Sequence, residues 1–258
     1  MAVKPKTETE IAILPISQGE VTFHVVGTTP LIFNRMAEKA KRDLLLGGQK
    51  KTAADKAANL KHNPVEEYRA SVYRNKGDDC ASRLCLPAPS FKGAMATAAL
   101  DLPGTKKTEI GRLVWVKGIT VDLFGVPELL MSVVRSADIN KTPDIRTRAI
   151  VPQWACIVTV QFVQPKLTAV AIGNLMAAAG VIAGVGDFRQ EKGKGNFGQF
   201  YLVDKDDADF KRIVSTGGRK QQDAALERYK CYDDETSELM EFYSAEVIRL
   251  GRGKKEAA

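Results

Sequence analysis

The order of helix and strand patterns constrains the fold of this chain more than any other feature of the sequence. Residues 90–101 and 168–182 each carry an apolar stripe with the helical spacing i, i+3, i+4 and i+7. Shorter apolar segments with the pattern of strands occupy residues 21–27, 113–117, 155–163 and 198–203. The resulting order, β-α-β-β-α-β, predicts an α+β fold with a ferredoxin-like core.

The remaining segments are arranged around this core. Residues 1–19 are polar and contain prolines, which is typical of a flexible arm. The ferredoxin-like, RRM-like core is expected to span 20–203, with a helical insertion at 36–86 and a β-hairpin insertion at 118–152. Residues 204–258 contain two helical patterns and predict a C-terminal helical tail.

Two residues are predicted to cap the core helices. Ser90, which follows Pro89, and Thr168 each precede an apolar stripe. Their side-chain oxygens can accept a hydrogen bond from a free amide of the first helical turn. We therefore expect the helices to begin at these two residues.

The charge of the chain is unevenly distributed. Of its 38 Lys and Arg and 31 Asp and Glu, 27 and 18 lie in residues 1–203, so this part carries a net charge of +9. A basic body favours a polyanionic partner, although a solvated basic face would have the same composition. The sequence has neither a signal-peptide pattern nor an apolar run long enough to span a bilayer, which predicts a cytoplasmic protein with no membrane partner.

The four cysteines are too few and too dispersed to form a disulfide framework. Cys80 and Cys85, with His62 upstream, would supply three zinc ligands, but structural zinc sites are closed by four. We therefore expect buried, reduced thiols, and neither a metal nor another cofactor.

A glycine-rich stretch at residues 183–202 is the strongest candidate for a binding site. It holds five glycines, three basic residues and three phenylalanines in twenty positions. Glycines allow backbone conformations with exposed amides, cations attract phosphates, and phenylalanines stack on bases. A connector between a helix and a strand would need fewer glycines and no clustered cations. The candidate nucleic-acid contacts are Gly184, Gly186, Phe188, Arg189, Lys192, Lys194 and Phe197.

The start of the first core helix is a second candidate site. Free amides at a helix N-terminus attract anions, and Ser90, Lys92 and Gly93 lie in this position. Lys92 adds a cation, and Gly93 leaves room for a phosphate to approach. The alternative is that Gly93 only lets the helix pack closely on the sheet.

The hairpin insertion supplies a third group of cations, Arg135, Arg146 and Arg148. Side chains two residues apart in a strand point to the same face, so Arg146 and Arg148 would form a cationic ridge. A solvated hairpin with no ligand is an equally good interpretation.

The pattern Pro-x-x-Ser-hydrophobic-Lys-Gly-Ala, followed by a glycine-rich loop before the last strand, resembles the RAMP superfamily. These are RRM-like proteins of CRISPR effector complexes, and the nearest parallel is the backbone subunit that coats guide RNA. The resemblance covers residues 20–203 in the order of elements, but only two short motifs in sequence. The matching residues are Pro87, Ser90, Phe91, Lys92, Gly93, Ala94, Gly184, Gly186, Gly193, Gly195 and Gly198.

This resemblance implies that Lys92 and the glycine-rich loop contact the sugar-phosphate backbone of a single strand, with neighbouring copies side by side. The family often has a basic residue soon after Lys-Gly-Ala, where this chain has Met95 and Thr97. A stand-alone or phage-encoded relative therefore fits the sequence as well as a CRISPR subunit.

Catalysis is not expected, because the sequence has no metalloprotease, serine-hydrolase or clustered D-x-D motif. Some RAMP backbone subunits cut target RNA with one loop aspartate. By this resemblance, Asp138, Asp144 or Asp187 could serve a metal-dependent ribonuclease, and nothing in the sequence singles one out.

The sequence thus predicts a non-catalytic protein that coats single-stranded RNA or DNA, with RNA favoured, as a homo-oligomer along the strand. A single-stranded DNA-binding protein of phage replication or recombination is one alternative. An oligomeric structural protein of a virion, with no affinity for nucleic acid, is another.

Overall fold

A computed structural model of the chain describes residues 15–36, 38–45, 62–77, 79–135, 143–192 and 195–249. Within these residues the strands are β1 (Ser17–Gly27), β2 (Leu31–Ile32), β3 (Cys85–Pro87), β4 (Val114–Val116), β5 (Thr120–Phe124), β6 (Glu128–Arg135), β7 (Pro143–Val151), β8 (Ala155–Gln164) and β9 (Phe200–Val203). The helices are α1 (Glu38–Leu45), α2 (Pro64–Ser71), α3 (Ala88–Ala98), α4 (Lys107–Leu113), α5 (Ala169–Ala178), α6 (Ala208–Thr216), α7 (Arg219–Glu227) and α8 (Asp234–Arg249). A π-helical turn at Ala179–Ala183 extends α5, and a 3₁₀ turn covers Gln190–Lys192.

The larger sheet has the strand order β3-β5-β8-β1-β9, and β4 also pairs with β8. The pairing of β1 with β8 is antiparallel and places Val25 opposite Cys156 and Thr22 opposite Thr159. Val25 and Cys156 are fully buried, on the face against which α3 and α5 pack. The opposite face is more polar, since the hydroxyls of Thr22 and Thr159 lie 2.9 Å apart and are exposed. This sheet therefore has one covered face and one face that is largely open.

A second, three-stranded sheet has the order β2-β7-β6. One face of β7 packs on α2, and the edge of β6 contacts α8 through the Thr236 hydroxyl, which accepts a hydrogen bond from the Met131 amide. The opposite face carries a smaller apolar cluster made of Ile32, Leu130 and Ile150. The hairpin therefore lies between helices on one side and the glycine-rich loop on the other.

Three aromatic side chains, from α3, from the residue before β8 and from β9, pack together in the core. The rings of Phe91 and Trp154 each meet the ring of Phe200 edge to face, with centroid distances of 5.9 and 6.2 Å. All three side chains are buried. Because β9 carries Phe200, this packing fixes the end of the glycine-rich loop against the start of α3.

A buried glutamine attaches the C-terminal region to this core. The side-chain oxygen of Gln222, in α7, lies 2.7 Å from the Arg83 amide nitrogen and 3.0 Å from the Leu84 amide nitrogen. Its amide nitrogen lies 2.8 Å from the carbonyl oxygens of Leu123 and Gly217. Gln222 is completely buried, so these hydrogen bonds have no competition from water.

The α+β class and the positions of the core elements agree with the sequence analysis, apart from shifted boundaries. The predicted cap at Thr168 is confirmed, because its side chain accepts a hydrogen bond from the Ala171 amide at 3.2 Å. The predicted cap at Ser90 is wrong. Helix α3 begins at Ala88 instead, with Pro89 in its first turn, where the missing N–H of proline breaks no helical hydrogen bond.

The segments around the core are partly as expected. The hairpin β6–β7 lies within the predicted insertion at 118–152, and α1 and α2 lie within that at 36–86. However, β3 and β5 pair with each other inside the larger sheet, so the sheet reaches into both segments. Residues 1–14 of the predicted arm lie outside the described residues, and β1 already begins at Ser17.

The described part of the C-terminal region contains α6, α7 and α8 instead of the two helices expected. Helix α6 covers one end of the open sheet face, where Phe210 meets His24 edge to face at 5.0 Å. Helices α7 and α8 reach the core through Gln222 and Thr236. Residues 204–249 therefore pack on the body of the same chain. No helix in the described ranges is long and apolar enough to cross a membrane.

Candidate nucleic-acid interface

Arg148 of β7 forms an ion pair with Asp187 of the glycine-rich loop. The register places Arg148 opposite Leu130 and Arg146 opposite Ser132, so both arginines lie on the same face of the hairpin. The predicted common face is thus confirmed, and the loop lies against that face. We call the region formed by Arg146, Arg148, Asp187, Phe188 and Phe197 the loop–hairpin surface.

The two arginines of this surface differ in their availability to a ligand. Arg146 is exposed, whereas only 19 % of the Arg148 side chain is exposed and its charge is balanced by Asp187. Burial, together with the neighbouring charge of Arg146, lowers the pKa of Arg148 from its usual value. Arg146 is therefore the more accessible of the two cations, and Arg148 ties the loop to β7.

Phe188 has the least common backbone conformation of the loop. Its φ of 50° lies in the left-handed region, and no other described residue except glycines has a positive φ. This conformation costs a side-chain-bearing residue about 1–2 kcal/mol. The residue nevertheless remains 50 % exposed. An aromatic ring is thus held toward solvent at an energetic cost.

Phe197 supports the ring of Phe188. The two ring centroids are 6.0 Å apart with an interplanar angle of 38°. Phe197 itself packs on the apolar cluster of Ile32, Leu130 and Ile150. One aromatic ring is therefore anchored in the fold, and its neighbour offers a surface to solvent.

Packing requires glycine at three positions of the loop, Gly184, Gly186 and Gly198. Gly184 and Gly198 have φ values of +69° and +73°, and a Cβ atom on Gly198 would lie 1.7 Å from the Val185 carbonyl oxygen. The Gly184 amide donates to the Ala179 carbonyl at 2.8 Å. Gly186 is buried and faces the Ile32 carbonyl oxygen. The expectation that Gly184 and Gly186 expose amides to a phosphate is therefore wrong, and the connector interpretation accounts for them.

Of the three predicted cations of the loop, Arg189 has an ion-pair partner in the structure. Arg189 pairs with Glu191 at 3.1 Å and its side chain is 20 % exposed. Lys192 ends the 3₁₀ turn, and Lys194 lies outside the described residues. The direct contribution of these two lysines stays a prediction.

At the start of α3, the structure does not support the packing interpretation of Gly93, and the approach of a phosphate there stays a prediction. A Cβ atom built on Gly93 would meet nothing within 4 Å, so close packing on the sheet does not require this glycine. Ser90 and Lys92 lie on the first turns of the helix and are partly exposed. Helix α3 packs on the π-helical turn that leads into the glycine-rich loop.

Arg135 does not join this group. It lies at the end of β6 opposite Pro143, on the face of the hairpin opposite to that of Arg146 and Arg148. Arg135 therefore lies outside the ridge formed by Arg146 and Arg148, and its contact with nucleic acid stays a prediction.

Two of the three candidate catalytic aspartates have other partners. Asp187 pairs with Arg148. Asp144 lies 3.1 Å from Nε2 of His62, whose Nδ1 lies 2.9 Å from Glu67. Asp138 lies outside the described residues. Within the described part of the chain, no three His, Cys, Asp or Glu side chains are grouped as metal ligands would be.

The cysteines are free thiols in two different environments. Cys85 and Cys156 are buried, and burial raises the pKa of both thiols, that of Cys85 to about 11. Cys80 and Cys231 are partly exposed, so the expectation that all four are buried is wrong for these two.

Comparison of the sequence with known protein families found no family that matches it, and comparison with curated proteins found no match. The fold and the loop–hairpin surface are therefore the observations from which a function is inferred.

Proposed function

We propose that this chain is a non-catalytic protein that binds single-stranded nucleic acid, RNA in preference to DNA, and coats the strand as adjacent copies. The observation that carries the proposal is Phe188, a half-exposed aromatic residue held in a left-handed conformation beside Phe197. Backbone strain of this kind persists where surrounding contacts impose it, and it concentrates at binding sites.

The order of strands supports a ferredoxin-like core. Strand β8 lies between β1 and β4, and β1 lies between β8 and β9. Helices α3 and α5 make the two connections β1–α3–β4 and β8–α5–β9, which is the order expected of a split βαβ fold. We propose on this basis, and on the motifs in α3 and the loop, that the chain is a RAMP-like protein.

The loop–hairpin surface suits a nucleic acid that is recognised through its phosphates and the faces of its bases, without regard to base sequence. A base can stack on Phe188, at about 1–3 kcal/mol for each base, while Arg146 meets a phosphate. Lys92, Lys192 and Lys194 would extend the contact along the strand by charge alone. Such contacts carry little sequence information, because every base has an aromatic face and every nucleotide a phosphate.

Fluorescence anisotropy with labelled single-stranded RNA, single-stranded DNA and duplex, each over a salt series, tests the proposal. We expect binding to single-stranded RNA with an affinity that falls steeply as salt is raised. Preferential binding to single-stranded DNA would instead favour the alternative, a DNA-binding protein of replication or recombination. No binding to any of the three at low salt would overturn it and favour the structural-protein alternative.

A further inference from the structure

The outer face of α5 carries no charge, although this helix lies at the surface of the molecule. Residues 167–186 contain no charged side chain, whereas 27 % of the whole chain is charged. The inner face of α5 is buried through Ile172, Leu175 and Met176, and the helix contacts α3, β1 and β9. A surface helix usually has charged and polar residues on its outer face, and a helix that lacks them is usually covered. The outer face of α5 thus has the composition of a covered surface.

Five residues follow one another along this outer face, on the helix and on the π-helical turn that extends it. Their spacing brings them to one side of the helix. We call this group the α5 stripe, and its members are Val170, Gly173, Asn174, Ala177 and Val181. Val170 is 74 % exposed and Val181 is 63 % exposed. An exposed apolar row of this kind is typical of a contact with another protein.

Gly173 is not required by the packing of the chain itself. A Cβ atom at this position would meet a ring carbon of Phe23 at 3.8 Å, which is an ordinary contact distance. Glycine is a weak helix former, so alanine would suit the helix better if nothing approached it from outside. Together with Ala177, about one turn later, Gly173 leaves a shallow notch between the two valines. The backbone of a second helix can approach closely at this notch.

The chemistry of the α5 stripe matches a second copy of the same stripe. Asn174 lies near its middle and is exposed. A carboxamide both donates and accepts hydrogen bonds, so two copies related by a twofold axis can satisfy each other. The stripe offers no charge with which a charged partner could pair. Two copies of a chain with a net charge of +7 repel each other, and this repulsion costs least where the facing surfaces are uncharged.

We propose that two copies of this chain associate through their α5 stripes, helix against helix, about a twofold axis. At about 1.5 Å per residue, the stripe is about 16 Å long from Val170 to Val181. One pair of helices of this length buries less than the ~800 Å² per partner of a standard interface, so the dimer is weak and depends on concentration. The contact needs no nucleic acid. Its use between adjacent copies on a strand rests on the proposed function.

The test is sedimentation velocity of the full chain without nucleic acid, over a range of protein concentrations and at low and high salt. We expect monomers at low protein concentration and dimers at high protein concentration. Raising the salt should leave the dimer unchanged or strengthen it, because screening weakens the repulsion between copies. The binding of RNA has the opposite dependence on salt, which separates the two proposals.

The variant Ala177→Glu is compared with Ala224→Glu, which makes the same change at an exposed position of α7. Ala177→Glu places two carboxylates near the centre of the contact. We therefore expect its dimer dissociation constant to rise at least about tenfold, and that of Ala224→Glu to rise less than about twofold. Ala177→Lys should weaken the dimer in the same way as Ala177→Glu. An equal mixture of the two Ala177 variants should restore dimers, because opposite charges then meet across the twofold axis.

A parent chain that stays monomeric at the highest concentration would overturn the proposal and leave the α5 stripe to a different protein. Equal losses in Ala177→Glu and Ala224→Glu, or no recovery in the mixture, would also overturn it. Dimers of the parent chain without any binding of RNA would support the contact and count against the proposed function. Thermal melts of each variant confirm that it is folded.

Discussion

Arg148 and Asp187 join strand β7 to the glycine-rich loop by an ion pair that is mostly withdrawn from solvent. Removing one partner of such a pair leaves the other charge partly buried and uncompensated. We expect Asp187→Asn to lower the free energy of unfolding by about 1–3 kcal/mol, as the pair is neither fully buried nor fully exposed. Urea unfolding of Asp187→Asn, Arg148→Gln and the double variant measures this. A double variant that loses the full sum of the two single effects would contradict the coupling.

The variant Asp187→Asn also tests the ribonuclease alternative. The ion pair with Arg148 indicates that Asp187 acts in structure. We expect no RNA cleavage by either protein in the presence of Mg²⁺ or Mn²⁺, as followed by gel electrophoresis of a labelled strand. Cleavage by the parent chain that disappears in Asp187→Asn would show that this aspartate is catalytic.

Replacement of Phe188 by glycine should weaken the binding of RNA without lowering the thermal stability of the fold. Glycine adopts a positive φ without strain, so we expect Phe188→Gly to keep the thermal midpoint within a few degrees. The loss of one stacking ring should weaken binding of single-stranded RNA by about 1–3 kcal/mol. Phe242→Ala is a matched control, because Phe242 is 67 % exposed on α8. Equal affinities of parent and Phe188→Gly would exclude stacking at this position.

The cationic contacts should act without regard to base sequence. We expect the triple variant Lys92→Ala, Lys192→Ala and Lys194→Ala to weaken binding to a similar degree for homopolymer and mixed strands, with a shallower dependence on salt. Anisotropy titrations at several salt concentrations measure both quantities. Unchanged affinity would mean that the strand follows another path.

Gln222 is expected to be among the residues most important for stability. Gln222→Leu removes the acceptor of the Arg83 and Leu84 amides in a dry site, whereas the two carbonyls that Gln222 contacts keep other donors. Each buried amide left unsatisfied costs about 1–3 kcal/mol, so we expect a loss of about 2 kcal/mol or more. Gln221→Ala, at an exposed neighbouring position, should cost less than about 0.5 kcal/mol. Chemical unfolding of the two variants checks the contrast.

The cysteines should react in two groups. Cys80 and Cys231 are partly exposed, whereas Cys85 and Cys156 are buried with raised pKa values. Because the thiolate is the reactive form, we expect two thiols to be labelled quickly at pH 8 and two only on unfolding. Timed alkylation followed by peptide mass spectrometry identifies them. Rapid labelling of Cys156 in the folded protein would contradict its burial.

Asp223 links stability to pH. The hydrogen bond and charge of Arg83 lower the pKa of Asp223 below its usual value. The ionised carboxylate therefore stabilises the fold above the unfolded pKa of about 3.9, and this contribution is lost as pH falls through the lower, folded pKa. The Asp223 side chain is 45 % exposed, so the contribution is below about 1 kcal/mol. We expect Asp223→Asn to be less stable than the parent at pH 7, with the difference shrinking as the solution is acidified.

Local patterns in the sequence predict the elements of this fold and much of their order. Thr168 caps a helix through atoms within three residues, and Arg146 and Arg148 share a face because of strand geometry alone. Ser90 was misplaced because proline fits both before a helix and within its first turn. Helix α4 is not predicted because its seven residues, KTEIGRL, are short for a helix, contain a glycine and run directly into β4.

Contacts between distant segments leave no local pattern in the sequence. The geometry of the candidate site depends on such contacts, so the sequence did not predict it. Gln222 lies in the polar sequence RKQQDAALE, which resembles an ordinary surface helix. The sequence around Gly184 is the same whether the glycine amides are exposed to solvent or donate hydrogen bonds to carbonyls, so it cannot distinguish the two. The pairing of Arg148 with Asp187 likewise depends on how the loop folds back on the hairpin. The folded structure is therefore needed to tell a buried or paired residue from an exposed one at these positions.

The hydrogen bonds of Gln222 join segments that are synthesised at different times, so they form late when the chain folds during translation. Leu84 and Gln222 are separated by 138 positions in the sequence. A ribosome adds about 5–20 residues per second, so roughly 7–28 s pass between the two. During this interval the Leu84 amide lacks the side-chain oxygen of Gln222 that accepts its hydrogen bond in the complete chain. Nascent chains halted before α7 should therefore be open to proteases around residues 82–84, and those halted well after it should be protected.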